Sequence, residues 1–140
     1  MTESNEKSAR CVCGATGITA KTVSHRVTAC HCRMCRKWGG GPFMGVDGGT
    51  EVTLDGEDNI SVFESSKWAE RGFCRQCGTH LFYRVKRTGQ YALLVGLLGD
   101  DEGFVFDEQL FIEEKPSYYS FANETHDLTG AEFFAKYGNT

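Results

Sequence analysis

Seven cysteines stand in three tight clusters, Cys11/Cys13, Cys30/Cys32/Cys35 and Cys74/Cys77. An odd number cannot all be closed into disulfides within one chain. Four ligands plus three describe one saturated tetrahedral zinc site and one zinc site with an open corner. The first set joins Cys11 and Cys13 to Cys74 and Cys77, because neither pair completes a tetrahedron alone; iron-sulfur binding is the alternative for these four thiolates. The second set, Cys30-His31-Cys32-Arg33-Met34-Cys35, places three thiols within six residues. Its fourth corner is left for water, a substrate sulfur or a histidine, with a redox or inert cysteine cluster as the competing reading. Residues two apart in extended chain point the same way, so Cys30 and Cys32 converge while His31 points away and is a poor first ligand. Three thiolates around Zn²⁺ make an electron-rich site, a weak Lewis acid toward oxygen and a soft acceptor for a thiol. The four-cysteine set is read as structural and the three-cysteine set as catalytic.

Nearby residues add detail. Glycine follows the second cysteine of both pairs, as Gly14 and Gly78, where a positive φ lets the chain turn tightly behind a metal. Arg33, Arg36 and Lys37 flank the three-cysteine cluster; they read as a solvated face or as holders of substrate carboxylates. Trp38 and Phe43 read as packing residues around the turn Gly39-Gly40-Gly41-Pro42, and His25, His80 and His126 as structural or exposed.

The elements that must position these side chains are short strands. Seventeen glycines against two prolines suggest many tight turns. Candidate strands are Gly17 to Lys21, His25 to Ala29, Phe43 to Val46, Glu51 to Leu54, Ile60 to Glu64, His80 to Val85, Tyr91 to Leu97, Gln109 to Ile112 and Tyr118 to Phe121, in mainly antiparallel sheets. A helical turn fits Arg33 to Trp38, stopped by the glycines. A short C-terminal helix is marked by Thr129 and Glu132, which form a capping box ahead of Phe133, Phe134 and Tyr137.

A length of 140 residues predicts a flexible tail over 1–8 and a single domain over 9–140. A net charge of -4 argues against nucleic-acid or anionic-lipid binding. Residues 1–8 carry no apolar core of a signal peptide, and no apolar run approaches membrane-spanning length. The expectation is a cytoplasmic protein in a reducing compartment, where clustered thiols bind metal. Its oligomeric state is left open.

Three stretches carry a family resemblance: Cys-Val-Cys-Gly-Ala at 11–15, Ala-Cys-His-Cys-Arg-Met-Cys-Arg-Lys at 29–37, and Glu-Arg-Gly-Phe-Cys-Arg-Gln-Cys-Gly-Thr at 70–79. With Leu81 to Arg84 and Phe111 to Tyr119, the chain over about residues 9–123 resembles the glutathione-dependent formaldehyde-activating enzymes, a family that also holds centromere protein V. That resemblance implies a mainly β, β-tent fold of antiparallel sheets around a four-cysteine structural zinc, held by Cys11, Cys13, Cys74 and Cys77. It implies a second, catalytic zinc on Cys30, Cys32 and Cys35, hence two Zn²⁺ per chain. The activity implied is that of a carbon-sulfur lyase joining glutathione to formaldehyde as S-(hydroxymethyl)glutathione, with a small thiol as partner and no nucleic acid or membrane. The rival reading is a non-catalytic zinc module that binds a protein partner.

Overall fold

The computed structural model describes residues 6–99 and 103–138. Along the chain run strands β1 (Lys7–Arg10), β2 (Gly17–Ala20) and β3 (Arg26–Cys30), helix α1 (Arg33–Gly39), then β4 (Phe43–Gly49), β5 (Val52–Asp55), β6 (Ile60–Phe63), β7 (Ala69–Cys74), β8 (His80–Val85) and β9 (Tyr91–Leu94). There follow α2 (Val95–Leu98), β10 (Val105–Leu110), β11 (His126–Leu128) and α3 (Gly130–Tyr137). The protein is mainly β, with a short C-terminal helix. Among the described residues no helix is long and apolar enough to cross a membrane.

The chain divides into two compact units, one of residues 6–24 and 46–99 and one of 25–45 and 103–138. The first holds an antiparallel sheet in the order β1-β2-β5 and an antiparallel ladder running β6-β7-β8-β9. Its core is apolar: Ala20, Val23, Ala69, Leu81 and Leu93 are wholly buried, and Ile18 and Val46 nearly so. Burial of that apolar area is what holds short strands together, since a two-stranded hairpin alone is marginal.

In the second unit β3 pairs antiparallel with the start of β4, placing Cys30 opposite Phe43. The mainly antiparallel expectation holds, with two parallel pairings within it, where β10 runs alongside β3 and β11. Helix α3 carries the capping box, with the Thr129 hydroxyl accepting from the Glu132 amide at 3.1 Å and the Glu132 carboxylate from the Thr129 amide at 2.8 Å. Its last turn meets the buried Glu108 of β10, whose carboxylate accepts from Lys136 Nζ at 3.2 Å and the Tyr137 hydroxyl at 3.1 Å.

Three expectations are corrected. Tyr118 to Phe121 is no strand: Ser117 and Tyr118 form a turn and residues 119–121 are irregular, with Lys115 Nζ donating to the carbonyls of Pro116 and Tyr119. The apolar run from Tyr91 leaves the ladder at Leu94 and turns helical as α2. Lys7 and Ser8, assigned to a tail, are the start of β1, where Ser8 meets the Thr19 hydroxyl at 2.8 Å; Met1 to Asn5 lie outside the described residues.

Candidate metal centres

Both groups of cysteines converge. Among the described residues, Cys11, Cys13, Cys74 and Cys77 form one set and Cys30, Cys32 and Cys35 another, with the sulfurs in each set within 4.8 Å of one another. All seven are free thiols.

The four-cysteine set lies within the first unit and is made of two similar turns. After Cys13, Gly14 adopts φ +84° and its amide donates to the Cys11 carbonyl at 3.1 Å; after Cys77, Gly78 adopts φ +80° and donates to the Cys74 carbonyl at 2.8 Å. Only glycine reaches that conformation without strain, which explains its place in both turns. Sulfur separations of 3.6 Å for Cys11–Cys13 and 3.8 Å for Cys13–Cys74 fit the edge of a tetrahedron about a cation. For metal–sulfur bonds of about 2.3 Å that edge is about 3.8 Å.

Hydrogen bonds from the chain stabilise thiolate in this set. The Thr16 amide donates to Cys11 Sγ at 3.3 Å, and chiefly through Thr16 the Cys11 thiol is lowered to about 5. The Thr79 hydroxyl accepts from the Val12 amide at 3.1 Å and keeps its own proton available for Cys77 Sγ, also 3.1 Å away. That contact lowers the Cys77 thiol to about 7. Cys13 goes the other way, to about 11: a backbone bond from Ala15 lowers it, but desolvation and the neighbouring Cys11, Cys77 and Cys74 outweigh that bond. Thr79 thus ties the two cysteine turns together; its only sequence signal is a threonine soon after each Cys-Gly.

The three-cysteine set lies within the second unit, where strand β3 meets helix α1. Cys30 ends the strand, Cys32 is the N-cap of the helix, and Cys35 is buried in its first turn. The Cys35 amide donates to Cys32 Sγ at 3.3 Å, which makes one side chain both helix cap and candidate ligand. Glu114 Oε1 accepts from the Arg33 amide at 2.7 Å, and the Leu110 carbonyl accepts from the His31 amide at 3.0 Å. These contacts, from the last residue of β10 and from the 3-10 turn at Ile112–Glu114 that follows it, hold the start of the helix. Packing three thiols together pushes Cys30 well above the usual thiol range, first through Cys32 and then Cys35. One thiolate opposes the next, so the donor set favours a dication that neutralises several at once.

The histidines join neither set. His31 is fully buried with its ring against Tyr119 and Phe121. His25 packs beside the Phe104 ring, His80 is half-buried, and the exposed His126 stands 4.0 Å from Asp107. Of the three bases near the second set, Arg33 and Lys37 are exposed, while Arg36 donates from Nε to the His31 carbonyl at 3.1 Å. Arg36 also lines a cavity of about 320 Å³ with Gly40, Pro42, Tyr118, Tyr119 and Phe121. Trp38 and Phe43 are half-buried.

The family model described as glutathione-dependent formaldehyde-activating enzyme matches residues 6–114. A protein of Schizosaccharomyces pombe described as an uncharacterized lyase is 33% identical over 125 residues, covering 89% of this chain and 91% of its own. The crystal structure of a Rhodobacter sphaeroides protein superposes with a TM-score of 0.56 at 21% identity, over 66% of this chain and 87% of that one, a likeness of fold. Matched by that family's model over residues 6–114, which include all seven cysteines, and by a relative a third identical, the chain belongs to the glutathione-dependent formaldehyde-activating enzyme family.

Proposed function

We propose that the protein is a zinc-dependent carbon-sulfur lyase that forms or cleaves an S-hydroxymethyl-type adduct between a thiol, glutathione or a relative of it, and formaldehyde or a related aldehyde. The observation that carries this reading is the inequality of the two cysteine sets. Four sulfurs gather in the first, enough to complete a tetrahedron about one ion; three gather in the second, which would leave one corner for a fourth sulfur. Zinc is the metal that suits both, being indifferent to geometry and content with thiolate ligands. Cys11, Cys13, Cys74 and Cys77 are then structural ligands, and Cys30, Cys32 and Cys35 hold the working ion. The β-tent arrangement and a cytoplasmic setting, where glutathione keeps thiols reduced, go with this reading.

A zinc ion on Cys30, Cys32 and Cys35 would supply a soft corner at which a substrate thiol is held deprotonated. The chain's own part is positioning. Cys30 and Cys32 are fixed by the end of β3 and the cap of α1, and Cys35 by burial, so the three sulfurs need little rearrangement on loading. In the net reaction the thiol sulfur bonds to the aldehyde carbon, the carbonyl π pair moves to oxygen, and the proton lost by sulfur ends on that oxygen. No redox partner is consumed.

The test compares zinc content and adduct formation above the uncatalysed rate in wild type and Cys32→Ser. Serine is a good helix N-cap, so α1 should survive the change. The proposal expects one zinc fewer per chain and adduct formation at the background rate. Full activity in a folded Cys32→Ser protein would refute it.

A further inference from the structure

The cavity of about 320 Å³ in the second unit has one charged side chain in its wall among the described residues, Arg36 of helix α1. The rest of the lining is glycine, proline and aromatic, with Pro42, Pro116, Tyr118 and Phe121 facing the cation. Apolar walls with a single placed charge are the usual make-up of a small-molecule pocket.

Arg36 is half-buried, and the chain fixes its direction. Its Nε donates to the His31 carbonyl at 3.1 Å, which leaves the two terminal nitrogens free of that bond. They keep accessible surface, and neither an acceptor nor a carboxylate meets them among the described residues. The acids that precede Pro116 in the chain are engaged elsewhere: Glu113 accepts from the Gly130 amide at 3.1 Å and Glu114 from the Arg33 amide at 2.7 Å. The carbonyl that Arg36 holds belongs to the peptide joining His31 to Cys32, so the guanidinium stands one peptide unit from a candidate metal ligand. The buried His31 ring also packs on Tyr119 and Phe121, two residues of the cavity wall, with centroids 5.8 and 6.2 Å away. His31 thus supports the three-cysteine loop and the cavity together.

An oriented guanidinium with no acid partner, set in an apolar wall, suits a carboxylate, which it can grip through two parallel hydrogen bonds. We propose that Arg36 and this cavity bind a carboxylate of the thiol substrate while the substrate sulfur takes the open corner of the three-cysteine set. The inference rests on the reading that this set receives a thiol, and it names the substrate class: thiols that carry a carboxylate. The carbon chain between the two groups lies against Pro42, Pro116 and Phe121. Of the three bases near the cluster only Arg36 has this role, since Arg33 and Lys37 are exposed and do not line the cavity.

The test is calorimetric titration of the zinc-loaded protein with glutathione and with its diethyl ester, which keeps the thiol and loses the charge of both carboxylates. Wild type should bind glutathione about tenfold more tightly than the ester, the worth of one charge-assisted pair. Arg36→Gln should bring glutathione down to the affinity of the ester, with ester affinity and zinc per chain unchanged. Lys37→Gln removes the same charge from outside the cavity and should keep the preference. S-methylglutathione, with its carboxylates but no free thiol, separates the two claims: it should bind more weakly than glutathione and show the same dependence on Arg36. If it binds as tightly as glutathione, the thiol corner fails and the carboxylate site stands. Equal binding of acid and ester by wild type would overturn the inference and leave the thiol corner intact, and this arm holds even if Arg36→Gln fails to fold. A preference that survives in Arg36→Gln, or that Lys37→Gln loses equally, would also overturn it. If none of the three compounds binds, both claims fall.

Discussion

The two cysteine sets differ in how much chain they close. Cys13 and Cys74 are 61 residues apart, so a metal on the first set clamps one end of its unit to the other. The second set spans Cys30 to Cys35 and closes only a helical turn. Treating each metal bridge as a cross-link, the chain-entropy estimate gives about 4 kcal/mol for the long loop and about 2 for the short one. The second unit is fastened instead by protein groups: the buried Glu108 between Lys136 and Tyr137, the Glu113 carboxylate on the Gly130 amide, Glu114 on the start of α1, and Phe111 packed on Phe133 and Phe134. A metal that closes a long loop cannot leave without opening the fold. One that closes a short loop in a unit already fastened is free to change its fourth ligand.

The sharpest way to break that contrast is Cys74→Ser. It removes a fully buried candidate ligand from the proposed long clamp, and binding energy at such sites is folding energy of about 10 kcal/mol or more in zinc-finger peptides. Circular dichroism should show unfolded or insoluble protein; a soluble variant with wild-type melting would show that the clamp is not structural. Cys32→Ser should do the reverse, abolishing adduct formation while changing stability by only about 1 kcal/mol, the range of helix-cap exchanges. Chemical denaturation alongside the activity assay separates the two. Tyr137→Phe probes the fastening of the second unit without touching a cysteine. Losing a hydrogen bond to a buried carboxylate should cost about 2 kcal/mol in urea unfolding, with the aromatic stack on Phe133 retained. No change in the urea midpoint would remove Glu108 from the account. Smallest is Thr79→Val, which deletes the hydroxyl linking Val12 to Cys77. A loss of about 1 kcal/mol and faster metal release to a chelator are expected, with Thr79→Ser close to wild type. Equal release from the valine and serine variants would reduce Thr79 to a spacer.

What could be seen in the sequence was what is encoded within a few residues. The cysteine spacings, the glycines behind Cys13 and Cys77, and the Thr129–Glu132 cap are local, and the structure places each where its spacing suggests. Helix α1, stopped at Gly40 in the left-handed conformation, was legible for the same reason. Strand β7 was missed because Ala-Glu-Arg-Gly-Phe-Cys carries no alternation; its Arg71 is buried and lies over the Tyr83 ring at 5.0 Å, a tertiary contact with no local sign. The apolar run after Tyr91 has no period that separates strand from helix, and so concealed α2. The parallel pairing of β3 with β10 joins residues some eighty positions apart, and strand order over that distance leaves no mark on either segment. Thr79 and Glu114 were missed likewise, since each acts on a cysteine segment remote in sequence.

The central claim is that one set is closed and the other open, and cadmium substitution tests it directly. With ¹¹³Cd in place of the native metal, nuclear magnetic resonance should show two lines in the thiolate region, and adding glutathione should move one downfield while the other stays. Cys32→Ser should remove the line that moves. Two lines that both ignore glutathione would contradict the account, because the second site would then have no corner to offer a thiol.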